Sequence, residues 1–275
     1  MSANHPIGIF DSGVGGLSVL REIQALMPYE HVIYFGDQGH VPYGPRSMEQ
    51  IQSFSEGITS YLLEHDAKLI VVACNTASAA ALQHLRATFP DVQFVGMEPA
   101  VKPAAEKTHT GRVGVLATPA TFQGALYASV VERFANGVEL FQNTCPGLVD
   151  QIENGELDSP QTRAILEDAL LPMLEKNIDT VVLGCTHYPF VIPLIERIAG
   201  EKVRVIDPAP AVAKQAKRLL EAGGMLNPKG DQGNVRFITS GEVDSVQRVL
   251  STLLGIDSAV EAVTWMDDRH LPFAD

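Results

Sequence analysis

The sequence predicts an α/β protein of two similar lobes, each a mainly parallel sheet flanked by helices, with the active-site cleft between them. Three observations predict it. Short β-rich apolar runs alternate with segments of helical period along the chain. The runs are apolar on both faces, as parallel strands covered by helices must be. The chain has 275 residues, and at roughly 100–200 residues per domain that length implies two lobes.

The elements follow in order. Ile7-Gly8-Ile9-Phe10 reads as a strand ending at Asp11-Ser12 and a glycine cluster. Leu17, Leu20, Ile23 and Met27 then recur at helical spacing. His31-Val32-Ile33-Tyr34-Phe35 is a strand leading into the loop 36–46. Ile51, Phe54, Ile58, Tyr61 and Leu62 form one apolar helical stripe. Leu69-Ile70-Val71-Val72-Ala73 is a continuous apolar strand, 76–88 is helical and Gln93-Phe94-Val95-Gly96 is a strand.

The second half repeats the plan. Val113-Gly114-Val115-Leu116, Val138-Glu139-Leu140-Phe141, Thr180-Val181-Val182-Leu183 and Val203-Arg204-Val205-Ile206 read as strands, with helices over 122–134 and 160–175. A helix over 211–221, a Gly/Asn/Pro-rich linker over 223–233, a strand over 235–239 and a helix over 243–254 complete the chain. Residues 113–118 resemble 7–12, and Val181 to His187 resembles Val71 to Thr76, at offsets of 106 and 111 positions. The repeat divides the chain into a first lobe of 1–97 plus 208–275 and a second of 98–207.

Charge narrows the function. Twenty Lys and Arg against 33 Asp and Glu give a net charge of −13. Nucleic acid and anionic membrane surfaces both demand a positive field, so neither is an expected partner. A small anionic substrate needs only local donors and stays open. The N-terminus lacks a basic region followed by a long apolar core, and no run approaches the ~18 apolar residues of a membrane helix. Three well-separated cysteines make no disulfide framework, so a cytoplasmic location is expected.

In open parallel sheets ligands sit beyond the carboxyl ends of strands. Asp11-Ser12, Cys74-Asn75-Thr76, Thr118 with Thr121, and Cys185-Thr186-His187 all occupy such ends. Facing lobes would collect them in one cleft, with Cys74 and Cys185 at equivalent positions on opposite sides. Inverting a stereocentre by proton transfer needs one base on each face of a planar carbanion, and this placement supplies two. Helix N-termini after those strands would favour thiolates.

Blander readings accompany each residue. A cysteine is most often a buried small hydrophobe, and Cys145 is read that way. Asp11 can cap the following helix. His187 can be a satisfied structural histidine, or set the proton inventory beside Cys185. Cys74, Cys185, His187 and Asp11 could instead hold one metal ion, although no paired zinc-ligand spacing appears. Gly13-Val14-Gly15-Gly16 matches neither nucleotide-loop spacing, so it reads as a tight turn whose N–H groups can meet an anion.

Four stretches together carry a resemblance: Asp11-Ser12-Gly13-Val14-Gly15-Gly16-Leu17, Val41-Pro42-Tyr43-Gly44, Ala73-Cys74-Asn75-Thr76-Ala77 and Leu183-Gly184-Cys185-Thr186-His187-Tyr188-Pro189. They resemble the signatures of the cofactor-independent aspartate/glutamate racemase family, in order and over nearly the whole chain. The resemblance implies interconversion of L- and D-glutamate for peptidoglycan synthesis, no cofactor or metal, and a homodimer. Carried over, it makes Cys74 the acid/base residue for the D-enantiomer and Cys185 that for the L-enantiomer, assisted by Asp11 and His187. It places Asp11, Ser12, Tyr43, Gly44, Asn75, Thr76, Thr186 and His187 against substrate, and an acidic residue, Glu153, near the cleft. Thr118 and Thr121 join the substrate set from their strand-end position.

Two departures stand out. The family usually reads Thr-Ala-Arg after the aspartate matching Asp37, where this chain has Gln38-Gly39-His40. That leaves the anchoring and charge complementarity of the substrate loop open. Pro208 replaces a frequent serine after Asp207. Racemisation of aspartate, another carbanion reaction on a related carboxylate, and a non-catalytic amino-acid-binding protein are the rival functions.

Overall fold

The computed structural model describes residues 2–228, 230–267 and 269–272. The chain begins with β1 (Ile7–Asp11), α1 (Leu17–Leu26), β2 (Val32–Gly36), α2 (Met48–Glu64), β3 (Leu69–Val72), α3 (Asn75–Thr88) and β4 (Phe94–Val95). After α4 (Val101–Lys107) come β5 (Arg112–Ala117), α5 (Pro119–Gln123), α6 (Ala125–Phe134), β6 (Glu139–Asn143), α7 (Leu148–Glu153), α8 (Pro160–Leu174) and β7 (Thr180–Gly184). A 3₁₀ turn (Tyr188–Val191), α9 (Ile192–Ala199) and β8 (Arg204–Ile206) follow. The chain closes with α10 (Ala209–Ala222), β9 (Val235–Thr239), α11 (Val243–Leu254) and β10 (Val260–Ala262).

The strands form two separate parallel sheets. One has the order β10-β9-β2-β1-β3-β4 and the other β6-β5-β7-β8. Every residue of β1, β2, β3 and β7 is buried, because helices cover both faces of each sheet. This is why those segments read as uninterrupted apolar runs. The last two strands return to the first sheet through β9, which pairs with β2.

One apolar cluster runs from Ile9 of the first sheet through α1 (Leu20, Ile23) and α10 (Val212, Ala216) to Leu116 and Leu183 of the second sheet and Ile195 of α9. Burying each large aliphatic side chain contributes about 1.5–3 kcal/mol. The outer faces hold their own clusters, around Phe35 and Phe54 on the first sheet and around Val113 and Tyr127 on the second.

Several local expectations change. The helix expected over 122–134 is two helices, because Gly124 takes an extended conformation (φ −69°, ψ 138°) between α5 and α6. Helices α4, α7 and α9 and strand β10 go beyond the sequence expectation. Six or seven residues show no full helical period, and Pro189 and Pro193 look like breakers although proline suits a first helical turn. Asp11 does not cap α1. That helix starts at Leu17 with Gly16 at its N-cap, and Asp11 instead accepts the Gly13 N–H at 2.8 Å.

Candidate active site

Sheet register brings the first group of residues together. Phe10 pairs with Val72, so the residues leaving β1 and β3 stand side by side. Ser12 Oγ lies 3.9 Å from Cys74 Sγ as a result. Cys74 is the N-cap of α3, and its sulfur accepts the Ala77 N–H at 3.4 Å. On the second sheet Ala117 pairs with Gly184, which sets Thr118 beside Cys185. Thr118 caps α5 and lies 2.9 Å from the hydroxyls of both Thr121 and Thr76.

The two sheets then meet through polar side chains. Thr186 Oγ1 donates to Asp11 Oδ2 at 2.9 Å, and Ser18 Oγ donates to the Thr186 carbonyl at 3.0 Å. Glu153, at the end of α7, reaches the glycine turn of the other sheet and accepts the Val14 N–H at 2.9 Å. The anion expected at that turn is therefore a protein carboxylate. A methyl group on Gly13 would collide with Glu153 Oε1, and one on Gly15 would lie 2.5 Å from His187 Nδ1. The turn needs glycine to let Glu153 and His187 approach.

The resulting cavity, about 20 Å³, is lined by Ser12, Tyr43, Gly44, Cys74, Asn75, Thr76, Thr118, Cys185, Thr186 and His187, all expected from sequence. Pro42 and Val149 also line it. Pro42 lies within the Val41-Pro42-Tyr43-Gly44 stretch, whereas Val149 carried no signal beyond its apolar character. Asp11, Thr121 and Glu153 stand one layer behind, each bonded to a lining residue. Cys145 is buried at the base of α7 away from this lining, its thiol pushed up to about 12 by burial and then by the charge of Cys185.

The two thiols have different surroundings. Burial, then the charge of Asp11, pushes the Cys74 thiol far up, against the smaller help of Ala77 N–H and Ser12. The expected favour of the helix N-terminus is outweighed there. Asp11 is itself raised by burial, although His187, Gly13 N–H and Thr186 oppose it. Cys185 Sγ lies 3.7 Å from His187 Nδ1, and His187 Nε2 lies 2.5 Å from Glu153 Oε1. Burial alone would drive the imidazole neutral, but Cys185 and Glu153 together hold its pKa well above the ordinary histidine value. Burial and the Asp11 charge thus work against a thiolate at Cys74, whereas an imidazole whose pKa is held up stands against Cys185.

The loop departure has its own structural answer. The fully buried Asp37 accepts Tyr43 OH and Ser240 Oγ at 2.6 Å, Trp265 Nε1 at 2.8 Å and pairs with His40 Nδ1 at 3.0 Å. His40 in turn stacks on Phe54. The tail after β10 thus helps to anchor the turn that carries Tyr43 and Gly44. Among the described residues no group of three or more His, Cys, Asp or Glu side chains is arranged to hold a metal ion, so the four left open as ligands do not form one. Nor is any described helix long and apolar enough to cross a membrane.

Two thiols delivered from the strand ends of two parallel sheets thus share one cavity with neutral donors and one imidazole, the arrangement of a racemase-type site. The Asp/Glu/Hydantoin racemase family model matches residues 7–216, and the chain belongs to that family. A glutamate racemase of Pseudomonas aeruginosa (strain UCBPP-PA14) is 51% identical over 254 residues, 92% of this chain and 96% of that protein. One from Roseiflexus sp. (strain RS-1) is 46% identical over 264 residues, 95% and 97% of the two chains. The solved glutamate racemase of Francisella tularensis, in complex with D-glutamate, superposes with a TM-score of 0.82 at 31% identity, covering 95% of this chain and 98% of that one. The Escherichia coli enzyme, in complex with L-glutamate and an activator, gives 0.82 at 32% identity over 94% and 98%.

Proposed function

We propose that this protein interconverts L- and D-glutamate by proton transfer at Cα between Cys185 and Cys74. The observation that best supports the reading is that both sulfurs enter one cavity from the ends of strands in facing sheets. The relatives named above add the substrate.

In the L-to-D direction, the Cys185 sulfur takes the Cα proton, breaking C–H and forming S–H. The His187 cation offsets the negative charge that this sulfur carries before it takes the proton. The electron pair left at Cα spreads into the substrate carboxylate, which needs donors already aimed at it. Asn75 is suited to donate there, because its amide nitrogen meets only Met97 Sδ at 3.9 Å. Ser12, Thr76, Thr186 and the Gly44 N–H supply further neutral donors, so a dianion can be held without an arginine-rich site. Cys74, which its surroundings keep as a thiol, then delivers its proton to the opposite face. The thiolate left there regains a proton from solvent, and the one taken by Cys185 is released to it. In the reverse direction the roles exchange.

A cavity of about 20 Å³ holds about one water, so glutamate binds only when the cavity widens. The product serves peptidoglycan synthesis in the cytoplasm, and the working form is a homodimer. The test is solvent exchange. L-glutamate incubated in heavy water is expected to yield D-glutamate carrying deuterium at Cα. D-product retaining its original hydrogen sinks the two-thiol scheme, and preferential turnover of aspartate sinks the substrate.

A further inference from the structure

Gln38, a departure from the family pattern, touches neither thiol and does not line the cavity. We propose that Gln38 is a positioning residue for the Cys185 side of the reaction, holding the Glu153 carboxylate against His187 from the opposite lobe. The inference rests on the two-thiol reading above.

The geometry runs from the backbone outward. Gly36, the last residue of β2, is paired with Asp11 on one side and Thr239 on the other. The Asp37 N–H then donates to the Asp11 carbonyl at 3.0 Å and the Gln38 N–H to the Gly36 carbonyl at 2.9 Å. The main chain at Gln38 is thereby tied to the strand ends, and its side chain packs against Gly241, where a Cβ would overlap it. From that fixed base Gln38 Nε2 donates to Glu153 Oε2 at 2.6 Å.

Glu153 Oε1 is already bound by Val14 N–H and His187 Nε2. Two contacts on one oxygen leave the carboxylate free to swing about its last torsion, which is intrinsically broad. Gln38 supplies the contact on the other oxygen and so fixes the plane. Its own Oε1 is buried without a partner. The amide is therefore held by its N–H end alone, and the reversed amide would set oxygen against oxygen. A side chain that leaves one polar atom orphaned to place the other is oriented by Glu153. His187 bonds Glu153, with Cys185 beyond it, and the Glu153 charge acts in turn on Asp11 and Tyr34.

Two variants test the role. Gln38→Met keeps the length and removes the donor, and is expected to lower kcat about tenfold while KM stays within about twofold. Gln38→Glu places a second carboxyl against Glu153, and two carboxylates at that separation share one proton. While the proton is bound, its O–H replaces the amide donor. The ratio of Gln38→Glu to wild-type kcat is therefore expected to fall as the pH rises and the shared proton is lost. A purely structural role would not make that ratio titrate.

Wild-type kcat in Gln38→Met, or a Gln38→Glu ratio that is flat with pH, overturns the proposal. If Gln38→Met fails to fold, the isosteric Gln38→Glu profile decides alone. Cys185→Ser is assayed in parallel: retained activity there removes the two-thiol reading, whereas an inactive Cys185→Ser with unaffected Gln38 variants removes only this inference.

Discussion

Cys74 and Cys185 leave equivalent strand ends, one in each sheet, yet they meet opposite electrostatics. Cys74 starts a full helix and takes one of its N–H groups, but it is buried beside the carboxylate of Asp11. Cys185 lies two residues before the His187 N-cap of a 3₁₀ turn, and that imidazole, bonded to Glu153, stands beside its sulfur. The helix N-terminus, worth about 0.3–1 kcal/mol in exposed settings, loses to burial and a nearby charge. What distinguishes the two thiols is the company of each sulfur. In the proposed mechanism this asymmetry fits Cys185 as the base for the L-enantiomer and Cys74 as the acid on the opposite face.

The harshest way to break this comparison is to remove the sulfurs. Cys74→Ser and Cys185→Ser are each expected to lose about 10²–10⁴ in racemisation rate, with far-UV circular dichroism unchanged. Turnover close to wild type in either variant would end the pairing.

Removing the asymmetry comes next. Glu153→Gln keeps a polar side chain but takes away the charge that helps to hold His187 protonated. Burial then acts on His187 with less opposition, so the ring loses its proton at a lower pH than in the parent. About 10²-fold loss of kcat is expected, with the alkaline fall of activity displaced toward acid. A pH profile superimposable on wild type would show that His187 acts independently of Glu153.

The smallest effect belongs to a carboxylate at the far end of the second sheet. Burial works against ionisation of Asp179, but Thr108 Oγ1, the Thr110 and His109 N–H groups and Thr180 Oγ1 win and bring its pKa to about 2. A depressed carboxylate contributes stability above its unfolded value of about 3.9, lost as pH falls through the folded value. Asp179→Asn is therefore expected to lower the urea midpoint slightly at neutral pH, and the difference from wild type is expected to close as pH approaches 2. Racemisation should not change, in contrast to Glu153→Gln. A gap that widens toward acid would contradict the sign.

Much of the site was legible because its residues sit on strand exits. Ser12, Cys74, Asn75, Thr76, Thr118, Cys185, Thr186 and His187 each follow an apolar run that announces a buried parallel strand, and all of them line the cavity. Tyr43 and Gly44 needed the family resemblance, since a loop turn has no periodicity to read. Val149 and Gln38 were not legible as site residues. Glu153 was legible only as an acidic residue near the cleft, and nothing local says that it crosses to the other lobe.

Local patterning thus determined the strands, the alternation with helices, and which chemically useful side chains leave each strand. It could do so because burial on both faces of a sheet leaves a continuous apolar record in the chain. Only the folded molecule decided that Glu153 would meet Val14 and Gln38, 139 and 115 positions away, and that the two thiols would differ in charge environment. Such polar contacts depend on the distance and angle between two separately built sheets, and no repeat of 2 or 3.6 residues encodes that geometry.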